Sequence, residues 1–160
     1  RLAGEIGKDK VELLCARTDQ ITVVADALTA FRAGGVHAMH DATEGGVLGG
    51  LYEISAASGL GFRADLDSVR VPDDIAAISR ALDFDPWCAI SEGTLLAAVE
   101  PESVTGVMAA LNLAGIESYP LGVFGPSGST RSIVRNGVES ELGEPGVDPF
   151  WDLFFAGLSA

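Results

Sequence analysis

Four glycines within six residues, at the start of one helix, constrain this chain more than any other feature. In His37-Ala38-Met39-His40-Asp41-Ala42-Thr43-Glu44-Gly45-Gly46-Val47-Leu48-Gly49-Gly50, a strand-like run gives way to an apolar stripe at helical spacing. That stripe is Val47, Leu48, Leu51 and Ile54, and Gly59 closes it. Each glycine costs about 0.8–1.0 kcal/mol of helix propensity relative to alanine, so four together cost roughly 3–4 kcal/mol. This is a large fraction of a domain's net stability. Something must require the missing side chains: close packing, or close approach of a ligand to the backbone. Gly49 and Gly50 lie a turn inside, where packing is expected. Gly45 and Gly46 sit at the mouth, where a ligand can reach.

Four further stripes predict helices. Ile21, Val24, Leu28 and Phe31 end at Gly34-Gly35. Ile75, Ile78 and Leu82 follow Pro72, and Val104, Val107, Met108 and Leu111 lie between Pro101 and Gly115. The last stripe is Phe150, Trp151, Phe154, Phe155 and Leu158, beyond Pro149. Strands are expected over 36–41, 60–66, 94–99 and 117–124. Asn136-Gly137 marks a hairpin between 132–135 and 138–141. Gly125 to Thr130 reads as a loop. With the helix after Pro72 taken as an insertion, the order is β-α-β-β-α-β, a ferredoxin-like α/β core with a C-terminal extension. Two layers, with helices on one face of a mixed sheet, would bury the stripes.

Composition excludes several functions. The 160 residues, 48% of them hydrophobic, suffice for one domain with a core of its own. No apolar run is long enough for a membrane span, and the N-terminus carries no signal-peptide pattern. That end also lacks an initiator Met, which predicts a chain cut from something longer and, with no signal, a cytoplasmic one. The net charge is −13, from 10 basic and 23 acidic residues. Such a surface repels nucleic acid and anionic membrane. The acidic, lysine-poor composition further predicts a halophilic source. Cys15 and Cys88 stand far apart and read as two buried thiols rather than a disulfide or a metal pair.

The helix mouth is where chemistry is expected. The first N–H groups of a helix lack intrahelical partners and form an anion site. Asp41 or Thr43 can cap that start, and Asp41 with Glu44 also reads as a plain capping box. A phosphate bound there would be repelled by Asp41 and Glu44. It therefore needs a bridging cation, Mg²⁺ held by Asp41 and phosphate oxygens. Capping alone needs no metal.

Met39 through Gly49, then Leu51-Tyr52-Glu53-Ile54 and Ala57-Ser58-Gly59-Leu60-Gly61-Phe62, resembles the C-terminal domain of the aminoimidazole ribonucleotide (AIR) synthase (PurM)/HypE superfamily. Within it, the likeness is nearest the AIR synthase-related proteins akin to the hydrogenase maturation factor HypE. Ser91-Glu92-Gly93-Thr94-Leu95-Leu96 and the helix over 102–114 fit the same pattern. The best-matching core is 20–125, and its specific part is the Asp-x-Thr-x-Gly-Gly turn.

The resemblance implies a PurM C-terminal-domain-like fold over 1–160, preceded in full-length members by an ATP-binding domain that this chain does not contain. It implies an enzyme that uses ATP and Mg²⁺ to activate an amide or carbonyl oxygen by phosphorylation. Such members commonly form homodimers through the N-terminal domain, while this domain closes over nucleotide and substrate. By analogy Asp41, Thr43, Glu44, Gly45 and Gly46 bind nucleotide, phosphate or substrate. No catalytic residue is identified, and the domain alone is expected not to turn over. The pattern departs at Glu44, where hydrogenase-maturation members often carry Arg. The alternative is a non-catalytic α/β module whose glycine-rich turn serves packing only.

Other positions carry weaker signals. His37 and His40 are three apart on a strand and face opposite ways, so joint metal ligation is not expected. Ser91-Glu92-Gly93 and Asp83-Phe84-Asp85-Pro86 read as turns. The C-terminal aromatic helix reads as core.

Overall fold

The computed structural model describes residues 2–158. Its helices are α1 (Leu2–Ile6), α2 (Lys8–Cys15), α3 (Val24–Ala33), α4 (Gly46–Ser58), α5 (Asp73–Leu82), α6 (Val104–Leu113) and α7 (Pro149–Leu158). Its strands are β1 (Val36–Asp41), β2 (Leu60–Asp65), β3 (Leu95–Val99), β4 (Gly122–Ser127), β5 (Arg131–Arg135) and β6 (Val138–Glu141). The expected α/β order holds: β1-α4-β2, then α5 in the crossing, then β3-α6-β4. No described helix is long and apolar enough to cross a membrane.

The strands divide between two sheets instead of sharing one. β1 pairs antiparallel with β3, and a four-stranded sheet runs β4-β2-β5-β6. The reason lies in β2, whose two edges are both taken. β4 lies antiparallel on one side, and β5, from the C-terminal hairpin, lies parallel on the other. Gly122 makes the first pairing possible, because a Cβ there would stand 2.1 Å from the Arg63 carbonyl oxygen. β4 therefore starts and ends later than the 117–124 expected, and it takes in Gly125 to Ser127 of the segment read as a loop. The hairpin forms as expected, with Asn136 and Gly137 at positive φ.

Most of the core lies between α4 and the larger sheet: Val47, Leu48, Leu51, Phe62, Ala64, Leu66, Trp87, Leu96 and Ile133, with Ala42. Burying each large apolar side chain of this set stabilises the fold by about 1.5–3 kcal/mol. A smaller cluster of Ala30, Val107 and Leu111 joins α3 to α6.

Four expectations need correction. α1 and α2 carried no apolar stripe and were not expected, and α2 buries no residue. Cys15, on α2, is consequently exposed rather than buried, while Cys88 is half-buried; both are free thiols. The stripe expected from Ile21 does not face the core: Ile21, which precedes α3, and Val24, Leu28 and Phe31 are 45–65% exposed, and only Ala30 of this helix is buried. Phe154 and Phe155 of α7 are also exposed, although its aromatic rings stack on one another.

Candidate functional site

The β1–α4 turn is built by backbone bonds that leave little slack. Ala42 N–H bonds the Thr94 carbonyl, and the Thr43 carbonyl accepts from Gly46 N–H at 3.0 Å and Ser91 N–H at 3.3 Å. The 91–93 turn thus props the site, as far as Gly93, where the Gln20 carbonyl oxygen fills the place of a Cβ. Gly45 then takes a left-handed conformation, φ 77°, as the N-cap of α4. The N-cap residue, a glycine, has no side chain with which to cap the helix. Neither Asp41 nor Thr43 fills that role, because the left-handed Gly45 places the cap beyond their reach along the chain.

Two protein groups supply what the helix start lacks. Trp87 carbonyl accepts from Leu48 N–H at 3.0 Å. Asp148 accepts from Gly45 N–H at 2.8 Å through one carboxylate oxygen and from Phe150 N–H at 2.8 Å through the other. One buried carboxylate therefore caps two helix starts, α4 and α7. Sequence reasoning missed Asp148. Asp-Pro before an apolar stripe signals a cap for the helix that follows, but nothing local marks a partner at Gly45.

All four glycines have steric reasons. A Cβ on Gly46 would stand 2.5 Å from the Ala89 carbonyl oxygen and 2.8 Å from that of Trp87, and φ is 60°. On Gly50 it would meet Leu96 at 2.8 Å, and on Gly49 the Glu44 carbonyl oxygen at 3.2 Å. Gly45 faces Gly49 Cα at 3.3 Å and has positive φ. The expected split, ligand at the mouth and packing inside, is not how they divide. Gly46 is held by packing as firmly as Gly50, and Gly45 by its dihedral.

An open cleft of about 510 Å³ lies between α4 and the segment leading into α7. Glu44, Gly45 and Gly49 line one side, with Tyr52 and Glu53 further along, and Glu144, Val147, Asp148 and Trp151 line the other. Of the five predicted residues the cleft thus collects Glu44 and Gly45. Gly46 lies buried behind them, and Asp41 and Thr43 sit on the strand side. Asp41 Oδ1 is buried without a hydrogen-bond partner. That orphaned oxygen fits a cation. Among the described residues no three His, Cys, Asp or Glu side chains converge into a metal-binding group. A Mg²⁺ on Asp41 would therefore take its other oxygens from ligand and water.

His37 and His40 separate as expected. His37 is exposed and lies 3.3 Å from Glu100, while the partly buried His40 meets Glu53 at 2.5 Å. The Asp83–Pro86 stretch is a turn, with Asp85 gripped by Arg135 at 2.5 and 3.1 Å. Burial, with the adjacent Asp85 carboxylate, pushes the Cys88 thiol above its ordinary pKa. It is an unactivated thiol.

This arrangement, an α/β domain carrying a glycine-tight strand-to-helix turn, corresponds to a known family. The family model for the C-terminal domain of AIR synthase related proteins matches residues 6–135, and the chain belongs to that family. Carbamoyl dehydratase HypE of Rhizobium leguminosarum bv. viciae is 34% identical over 136 residues, which cover 76% of this chain and 37% of that protein. The crystal structure of E. coli HypE, a hydrogenase maturation protein, superposes with a TM-score of 0.69 at 27% identity, covering 79% of this chain and 41% of that one. A HypE structure solved in complex with ATP shares the fold, with a TM-score of 0.61 at 20% identity, over 73% of this chain and 38% of that one. The chain thus spans about two fifths of the length of these relatives.

Proposed function

We propose that residues 1–160 form the C-terminal domain of an ATP-using, HypE-like enzyme. The enzyme activates an amide or carbonyl oxygen by phosphorylation, and this domain covers the nucleotide and substrate. The observation that carries the reading is the cleft at the α4 mouth, to which the turn bearing the family resemblance contributes Glu44 and Gly45. Glu44 and Gly45 would meet the anion directly, with Gly46 shaping the turn behind them and Asp41 and Thr43 on the strand side. Mg²⁺ on Asp41 would offset the repulsion between phosphate and the cleft's carboxylates, Glu44, Glu53, Glu144 and Asp148. A phosphate at Gly45 N–H would displace Asp148. An ATP-binding domain N-terminal to this one, a homodimer formed through it, a cytoplasmic setting and a role in hydrogenase maturation complete the reading.

Amide NMR tests it. Phosphate or nucleotide should shift Thr43, Glu44, Gly45 and Gly46, and only when Mg²⁺ is present. Absence of those shifts, with an ATP-binding domain also supplied, sinks the enzyme reading. A second reading then stands, a non-catalytic module with a structural turn. It is favoured by one specific observation: packing or dihedral angle accounts for every glycine of the turn.

The −13 charge supports a halophilic origin. Self-repulsion on a small surface opposes folding, and the Debye length falls from about 10 Å in 0.1 M salt to about 3 Å in 1 M. Tm should climb steeply with KCl up to molar concentrations. A flat profile between about 0.1 and 2 M, a range spanning that loss of screening length, overturns this origin.

A further inference from the structure

Among the described residues, the half-buried arginines other than Arg131 are each answered by an acid. Arg17 bonds Asp74 at the start of α5, and Arg135 grips Asp85 through both terminal nitrogens. Arg131, the first residue of β5, is half-buried and has no carboxylate partner among the described residues, in a chain with 23 carboxylate side chains.

Arg131 is nonetheless held firmly. Its Nε donates to Ser55 Oγ at 2.6 Å, and its guanidinium lies over the Tyr52 ring, 4.8 Å from the centroid. Ser55 is 0% exposed, and its hydroxyl hydrogen goes to the Leu60 carbonyl. Its oxygen is therefore oriented as an acceptor for Arg131. The backbone is fixed as well, since the Arg131 carbonyl accepts from Leu142 N–H at 2.8 Å and β5 pairs with β2 at Phe62. One edge and one face of the guanidinium are thus committed, while Nη1 and Nη2 have no acceptor among the described residues.

The free edge of such a guanidinium matches two oxygens of one planar or tetrahedral oxyanion. Immobilising it beforehand removes much of the entropy lost on binding. A stacking contact alone would need no hydrogen bond to a fully buried hydroxyl. Tyr52 lines the α4 cleft on one side and carries Arg131 on its ring, so Arg131 neighbours the cleft without lining it. We propose that Arg131, oriented by Ser55 and Tyr52, is the recognition residue of an oxyanion site that takes two oxygens of a carboxylate or phosphate group on Nη1 and Nη2.

Arg131 is separate from the turn at 41–46, and its anion needs no bridging metal. The test is therefore run in EDTA, which silences any Mg²⁺-dependent binding at the α4 mouth. The intact chain is titrated with inorganic phosphate and, separately, with acetate, each against chloride at matched ionic strength. The readout is the Arg131 Nε–H signal together with the Tyr52 and Ser55 amides. Saturable shifts with phosphate or acetate, absent with chloride, are expected, and the tighter-binding anion names the group recognised. Arg131→Lys keeps the charge but loses the fork, and should weaken binding about tenfold, a loss typical of one charge-assisted hydrogen bond. No saturable shift with either anion, equal shifts with chloride, or undiminished binding by a folded Arg131→Lys variant would each overturn the proposal. The wild-type titration decides even where that variant fails to fold.

Discussion

α3 and α4 look alike as sequence and differ as structure. Each carries large apolar residues at helical spacing, three in α3 and four in α4, and ends at glycine. In α4 the first half is buried on every side, from Gly46 through Leu51. In α3 the stripe faces outward, and the helix is fastened by the small side chain of Ala30 against Val107 and Leu111 of α6. Periodicity therefore reports that a helix has an apolar face. What that face meets depends on the other elements, and α4's own glycines let it approach the 87–89 segment and Leu96 of β3 closely.

Substitutions can break this contrast, and the largest effect is expected in α4. Gly46→Ala places a methyl against two carbonyl oxygens at an unfavourable φ, and should destabilise by about 2–4 kcal/mol in urea unfolding. A neutral result would mean that the turn relaxes freely.

Next comes Ala30→Leu, which overpacks the one buried position of α3 and should cost about 1–3 kcal/mol. An unchanged melting curve would show that α3 is not anchored through α6.

A milder effect tests a region whose turn was legible but whose lock was not. Asp67 accepts from Gly137 N–H and Asn136 N–H, both at 2.8 Å, and these bonds, the Gly137 one foremost, hold its carboxyl below the ordinary value of 3.8. The folded pKa is depressed, so this contribution is complete above the unfolded value and is lost as pH falls through the folded one. Wild type should lose more stability than Asp67→Asn as pH drops below about 4, where an unperturbed Asp titrates. Identical acid profiles for the two proteins would remove Asp67 as the lock.

Smallest of all, Leu28→Gln on the outward face of α3 should change stability by no more than about 0.5 kcal/mol. A loss several times larger would place that stripe in a contact and narrow the difference between the two helices.

The sequence spelled out what local chemistry controls. The α4 stripe with Gly59, the α6 helix between Pro101 and Gly115, and the Asn136-Gly137 hairpin each carry their own start or stop signals within a few residues. The register of β4 was not legible, because Gly125-Pro126-Ser127 has turn composition and is recruited to the sheet only by pairing with β2. The turn at 41–46 was found through the glycines themselves. Its closing carboxylate was not, since Asp148 reaches Gly45 across 103 residues. Arg131 was invisible for the same reason: an arginine opening a strand says nothing until Ser55 and Tyr52 are seen beneath it.

The split into two sheets also sets the order in which the molecule can assemble. β5 and β6 are joined by a two-residue turn and can zip within microseconds. β1 and β3 join Val36 to Val99 and Asp41 to Leu95, with α4, β2 and α5 all lying in the intervening chain. Closing so long a loop carries an entropic cost before its contacts are gained, and two strands alone are marginal. The β1–β3 pair should therefore form late. The mouth of α4 begins where β1 ends and is braced by the turn that leads into β3, so it is completed in that last step. A partly folded chain retaining only the hairpin and its neighbours has no cleft at all.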